Sequence, residues 1–248
     1  MGRLVILTVL AAALALPSSA AAACRPSAAH PYPVILVHGT FANQEVSWNA
    51  LRPLLVSRGY CVFSLNYGTN ATAPMAQSGD EVAAFARQVL AQTGAAKVSF
   101  VGHSQGGSLS RYVAKDKGLL SQTDDVVGLA PSSHGTTNPL APPAGTLGCA
   151  ACTDQVAGSP FMQALNAPPE APGPVSYTVI STRYDEVVTP YQSQALAGDT
   201  VTNVVLQDRC PNDLTEHLGI IYDPVALQWV VNALGRDGPA DPGFRPRC

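Results

Sequence analysis

The sequence predicts an α/β fold with a mostly parallel central sheet and helices on both faces. Three observations carry that prediction. Short apolar runs rich in β-branched residues recur along the chain, they alternate with helix-like segments, and the chain is long enough to bury a sizeable core. A strand buried on both faces reads as a continuous apolar run, not an alternating one, and the runs here are continuous.

The elements follow in order. Residues 33–39, "PVILVHG", form the first expected strand, and "NALRPLLVSRGY" a helix that stops at Gly59. "CVFSLNY" (61–67) is the second strand. In "SGDEVAAFARQVLAQTG" Ser78 and Glu81 have capping-box spacing and Gly94 is the C-terminal stop, so a helix is expected between them. "KVSFVG" is the third strand and residues 105–116 the helix after it. "DDVVGLA", "VSYTVIS" (175–181) and "VTNVVLQ" (201–207) supply the fourth to sixth strands. Asp223 before Pro224 is an N-cap followed by proline at the first helical position, opening a helix that runs to Gly235. The exception is 134–174, rich in Pro, Gly and Ala, where only "SPFMQAL" is helical in character. Such a stretch inside a compact domain is expected to be a cap or functional loop.

Both ends of the composition argument point outside the cell. Arg3, the apolar run 4–16 and the small residues before Cys24 form a secretory signal peptide, residues 1–23, leaving 24–248 as one α/β domain. A net charge of −3 with no basic cluster excludes nucleic acid as a partner. Six cysteines, an even number in an exported chain, are read as disulfides: Cys24, Cys61, Cys149, Cys152, Cys210 and Cys248. Cys149 and Cys152 form a CxxC, but no second pair completes a zinc site, so a small disulfide loop is expected. No metal and no cofactor are expected, and a monomer is the default.

Ser104 lies in Gly102-His-Ser-Gln-Gly106, a G-x-S-x-G between an expected strand and an expected helix. A nucleophile on so sharp a turn strains its backbone, and glycines on either side remove the side chains that would clash. A serine hydroxyl needs a base to take its proton. Only His134 and His217 follow it; His134 comes too early, and His217 sits between the sixth strand and the last helix. The orienting acid is expected after the fifth strand, in "TRYDEVV". Asp185 is chosen, with Glu186 the fallback, Asp208 and Asp213 open, and Glu216 a bystander. Backbone N–H donors for a developing oxyanion are expected at Gln105 and Thr40, with the Thr40 hydroxyl as a further donor. His38 is expected to hold its loop by hydrogen bonds. Leu140, Phe161, Met162, Val187 and Val188 are the expected apolar lining of the substrate pocket.

The segments "PVILVHGTF", "SWNALRPLLVSRGYCVFSLNYG", "FVGHSQGG", "VVGLAPSSHGT" and "YDEVVTPYQS" resemble the secreted actinobacterial serine lipases of the α/β-hydrolase fold and are similar to Candida antarctica lipase B. The likeness runs from about residue 24 to residue 235. It implies a secreted carboxylic ester hydrolase acting on small-molecule or lipid esters, at a lipid–water interface for the latter. It implies Ser104, Asp185 and His217 as the triad, Thr40 and Gln105 as oxyanion residues, and the pairs Cys24–Cys61, Cys149–Cys152 and Cys210–Cys248. A polyester hydrolase and an acyltransferase share this chemistry; a binding protein on the same scaffold would normally lack a triad member.

Overall fold

The computed structural model describes residues 24–248; the expected signal peptide lies outside the described residues. Six strands form one sheet in the order β2-β1-β3-β4-β5-β6, every neighbouring pair parallel. They are β1 (Val34–Val37), β2 (Val62–Ser64), β3 (Val98–His103), β4 (Thr123–Leu129), β5 (Ser176–Ser181) and β6 (Val201–Val205). The fold class is the one the strand–helix alternation predicts. Helices α1 (Gln44–Ser47), α2 (Leu51–Ser57), α3 (Gly68–Ala71) and α4 (Met75–Thr93) precede β3 or separate the first strands. Helix α5 (Gln105–Asp116) follows β3. Then come α6 (Ala141–Thr146), α7 (Ala150–Asp154), α8 (Pro160–Leu165), α9 (Leu206–Arg209) and α10 (Pro224–Leu234).

The continuous apolar strands are explained by two cores. Ile35, Val37 and Phe100 pack with Val82, Ala86 and Val89 of α4 and Leu109 and Val113 of α5 on one face. Val34, Leu36 and Val101 pack with Leu51 and Leu55 of α2 and Trp229 and Val230 of α10 on the other. Successive side chains of β1 therefore enter opposite cores, and all four of its residues are buried.

Several boundaries differ from the expectation. The capping box does not form: α4 begins three residues before Ser78, which is buried within the helix, and Glu81 Oε2 accepts the Gly68 N–H at 3.0 Å. The first N–H of the helix, on Met75, is satisfied instead by Asp154 Oδ2 at 2.8 Å, a cap supplied from 79 residues away. Segment 134–174 holds three short helices, α6 to α8, where one was expected. Proline at N1 or N2 starts α6 and α8, and the Cys149 sulfur accepts the Cys152 N–H at the start of α7. Disulfides join Cys24 to Cys61, Cys149 to Cys152 and Cys210 to Cys248, with Cα separations of 5.5, 5.3 and 5.5 Å.

Candidate active site

Ser104 occupies the turn between β3 and α5 at φ 54° and ψ −125°, a conformation that L-residues seldom adopt. Its N–H is tied to Leu129 O on the neighbouring strand at 2.9 Å. The flanking glycines are required by close approach. A Cβ on Gly102 would come within 2.3 Å of the Gly106 backbone, and one on Gly106 within 2.0 Å of Val37 O.

Two loops converge on this serine. His217 Nε2 lies 3.0 Å from Ser104 Oγ, and His217 Nδ1 lies 2.8 Å from Asp185 Oδ2. A carboxylate only accepts, so Nδ1 carries the proton and Nε2 presents its lone pair to the serine hydroxyl. Asp185 is saturated: Oδ1 accepts the N–H groups of Val187 and Val188 at 2.9 and 2.7 Å, and Oδ2 also accepts Gln194 Nε2 at 2.7 Å. A bridge between Tyr184 and Glu216 holds the two loops side by side. His217, Asp185 and Ser104 are all buried.

The other carboxylates have separate roles. Glu186 accepts the backbone N–H of His217 at 3.5 Å, and Glu216 accepts those of Leu218 and Gly219, both at 2.7 Å. Asp208 pairs with Arg183, and Asp213 accepts the Thr215 N–H at 2.8 Å. His134 bonds Ser193 O and Glu170, remote from Ser104. His38 holds its loop: Nδ1 donates to Gly39 O at 2.9 Å, its ring stacks on Tyr67, and the Tyr67 hydroxyl donates to His38 O. Burial pushes the His38 pKa down.

Gln105 is the first residue of α5, so its backbone N–H has no partner within the helix and points towards the end where Ser104 sits. Thr40 lies on the loop after β1, beside it. The next residue, Phe41, has φ 60° and donates its N–H to Asn70 O at 2.9 Å. Asn70 belongs to α3, a turn whose residues all have left-handed φ. The Thr40 hydroxyl does not point freely at Ser104; it donates to Gln105 Oε1 at 2.6 Å.

Above these groups lies a cavity of about 690 Å³. Leu140, Val187 and Val188 line it, with Phe41, Val46, Leu218, Ile221 and Tyr222. Phe161 and Met162 do not. Met162 and Leu165 are three apart on α8 and face the same buried core, while Phe161 packs edge-on against Tyr112 of α5 at 5.0 Å. The short helix packs against α5, where Arg111 also donates to Leu165 O at 3.3 Å.

Two further groups escaped the sequence reading. His103 Nε2 donates to His217 O at 2.9 Å. Gln155 Nε2 donates to Thr40 Oγ1 at 3.0 Å and to Gln105 Oε1 at 3.1 Å. His103 had a local signal, its place beside Ser104 at the end of a buried strand. Gln155 had none, being 50 residues from Gln105 in the chain.

An all-parallel sheet with a serine at the strand–helix turn after β3 defines the molecule as an α/β-hydrolase. The chain belongs to the family Lipase (class 2), whose model matches residues 31–230. It is 45% identical over 103 residues to a triacylglycerol lipase of Burkholderia plantarii, covering 39% of this chain and 29% of that protein. It is also 45% identical over 93 residues to a triacylglycerol lipase of Pseudarthrobacter phenanthrenivorans, covering 35% and 29%. The matched part thus spans under a third of these curated relatives. Among solved structures it is similar to Aspergillus fumigatus lipase B, with a TM-score of 0.76 and 25% identity over 85% of this chain and 54% of that one. The mature form of the Bacillus licheniformis lipase BlEst2 shares the fold, at TM-score 0.59 and 17% identity over 79% of this chain and 89% of that one.

Proposed function

We propose that this protein is a secreted carboxylic ester hydrolase, a triacylglycerol lipase or esterase, working through Ser104, His217 and Asp185. The observation that carries the reading is the unbroken hydrogen-bonded chain from Ser104 Oγ through His217 to Asp185, set under an apolar cavity. Membership of the lipase family and the triacylglycerol lipase relatives support it.

The ester carbonyl sits over Ser104. As Oγ attacks the carbonyl carbon, His217 Nε2 takes its proton, and Asp185 stabilises the imidazolium without accepting that proton. The oxyanion is held by the N–H groups of Gln105 and Thr40, each worth about 3 kcal/mol in the transition state. The tetrahedral intermediate collapses, the carbonyl re-forms, and His217 returns its proton to the departing alcohol oxygen. A water then enters, gives a proton to His217 and attacks the acyl carbon. Collapse of the second intermediate breaks the bond to Oγ, which regains the proton from His217, and the acid leaves.

The rim of the cavity supports work at a lipid–water interface. Leu140, Phe41 and Leu218 are 73%, 67% and 62% exposed around its mouth. A soluble monomer rarely exposes so large an apolar cluster without a use. In this reading 24–248 is one domain, and 134–174 is its cap, contributing Leu140, Ala141 and Ala144 to the cavity. Three disulfides support an oxidising, extracellular location.

The test is hydrolysis of p-nitrophenyl esters from acetate to palmitate by wild type and Ser104→Ala. Turnover lost in the variant supports the reading, and the chain-length profile separates lipase from esterase. A variant as active as wild type, or a wild type inert on every ester, overturns it.

A further inference from the structure

The Thr40 hydroxyl is engaged in a network whose proton positions can be assigned by elimination, and in which Gln105 Nε2 is a buried donor without a partner. The nitrogen end of the Gln155 amide is fixed by Ala151 O, an obligate acceptor 3.1 Å away. Its oxygen end accepts Ser132 Oγ at 2.9 Å. That nitrogen is also 3.1 Å from the Gln105 side chain, so the Gln105 atom facing it must be the oxygen. The amide has two N–H groups, so the one not given to Ala151 O is shared between Gln105 Oε1 and Thr40 Oγ1, 3.0 Å away, and the single Thr40 proton is left to point at Gln105 Oε1, 2.6 Å away, or at whatever lies over Ser104. It cannot point at Gln155.

We propose that Gln155 is a positioning residue that makes the Thr40 hydroxyl a releasable oxyanion donor. The inference rests on the reading of Ser104 as nucleophile. In the resting site the proton is parked on Gln105 Oε1. When negative charge builds on the carbonyl oxygen, the hydroxyl rotates and donates to it, a charge-assisted bond stronger than the one given up. No covalent bond changes in that rotation. Gln105 Oε1, which is buried, would then be left without a donor, and an empty buried acceptor is costly. The N–H of Gln155 that is shared in the resting site lies 3.1 Å from this oxygen and turns fully to it on release, so no orphan is left. In the resting site the same N–H faces Thr40 Oγ1, so the hydroxyl proton cannot point at Gln155.

The position of Gln155 is a product of the segment that carries it. It directly follows α7, whose Ala151 N–H bonds Thr72 O at 3.1 Å and whose Cys152 is bridged to Cys149. Gln155 itself is buried. A short helix held at its start by these contacts and at its last residue by the bond from Met75 N–H to Asp154 therefore places the Gln155 amide beside Thr40 and Gln105.

The test is a double-mutant cycle in kcat with a p-nitrophenyl ester, using Thr40→Val, Gln155→Ala and the double variant. Active-site titration with a fluorophosphonate would count competent molecules in each. Thr40→Val is expected to lower kcat about 100-fold, the loss of one oxyanion donor. Gln155→Ala should lower kcat roughly tenfold with KM within about twofold, because the interaction is made only in the transition state. In the Thr40→Val background, replacing Gln155 should change kcat less than twofold. An equal loss in both backgrounds, a loss confined to KM, or a Thr40→Val with wild-type kcat each overturns the proposal. If Gln155→Ala does not fold, Gln155→Met keeps the length of the side chain and is read in the same cycle. Failure here is distinct from failure of the hydrolase reading: Ser104→Ala would still abolish turnover.

Discussion

His103 Nε2 donates to the main-chain carbonyl of His217 at 2.9 Å, so the residue beside the candidate nucleophile holds the backbone of the candidate base. Burial pushes the His103 pKa down to about 3, with His217 next to it acting the same way. The ring is therefore neutral at neutral pH. Replacing His103 with Phe leaves a buried carbonyl unpartnered, worth about 1–3 kcal/mol, and lets the His217 loop drift. Expected are a lower melting temperature and a roughly tenfold drop in kcat. His103→Gln retains a donor at about the same reach and should recover most of both.

Asp185 accepts from four donors, and only a carboxylate can do so. In Asp185→Asn either the amide clashes with a donor or His217 is pushed into the wrong tautomer. A fall in kcat of about 10⁴ is expected, by analogy with other serine triads. Glu186→Gln should stay within about threefold of wild type, since Glu186 reaches only the backbone N–H of His217. Steady-state rates on one soluble ester decide both, and a Glu186 effect matching that of Asp185 would refute the assignment.

Phe161 and Val188 separate core from cavity. Phe161→Ala should lower stability by about 2 kcal/mol through lost packing on Tyr112, with the acyl-chain profile unchanged. Val188→Phe adds bulk to the cavity and should shift preference to shorter acyl chains. Denaturant midpoints and an ester series read the two outcomes.

Asp125, near the amino end of the interior strand β4, is buried with Oδ2 accepting Ser99 Oγ at 3.1 Å. Burial, reinforced by Asp124, raises its pKa to about 8 from 3.8. The native state then binds this proton more tightly than the unfolded chain does. Stability falls as pH rises from about 4 to about 8 and loses nothing more from this group above that. Asp125→Asn removes the linkage. Its melting temperature relative to wild type should rise steadily from about pH 4 to about pH 8, and a difference independent of pH would sink the idea.

The disulfides should differ in what they do. Cys24–Cys61 closes a separation of 37 residues and Cys149–Cys152 one of 3. Chain entropy assigns them about 4 and about 2 kcal/mol. Replacing the first pair by alanine should mainly shift the guanidinium midpoint. Replacing the second should lower kcat severalfold with a smaller shift, because Cys152 lines the cavity and Gln155 follows on the same turn. Equal midpoint shifts would contradict the chain-entropy ranking.

By itself the sequence determined what depends on near neighbours. Continuous apolar runs such as 33–39 specify strands covered on both faces, and their alternation with helical segments specifies a parallel sheet. The glycines around Ser104 are legible because steric crowding at a sharp turn acts within two residues. The Asp223–Pro224 start of α10 and the Gly94 stop of α4 are local for the same reason. Tertiary structure decided what depends on distant chain. Met75 is capped by Asp154, not by a capping box at Ser78 and Glu81, because the oxygen that reaches its N–H stands at the end of α7. Asp185 and Glu186 are both carboxylates in the same loop, and only the angle at which that loop meets residues 216–219 puts Asp185 on the imidazole. Phe161 and Met162 carry the same apolar signal as Val187 and Val188, and the facing of α8 sends them into the core. Gln155 meets Thr40 across 115 residues. Hydrogen bonds act over about 3 Å of space whatever the separation along the chain, so such partners carry no local trace.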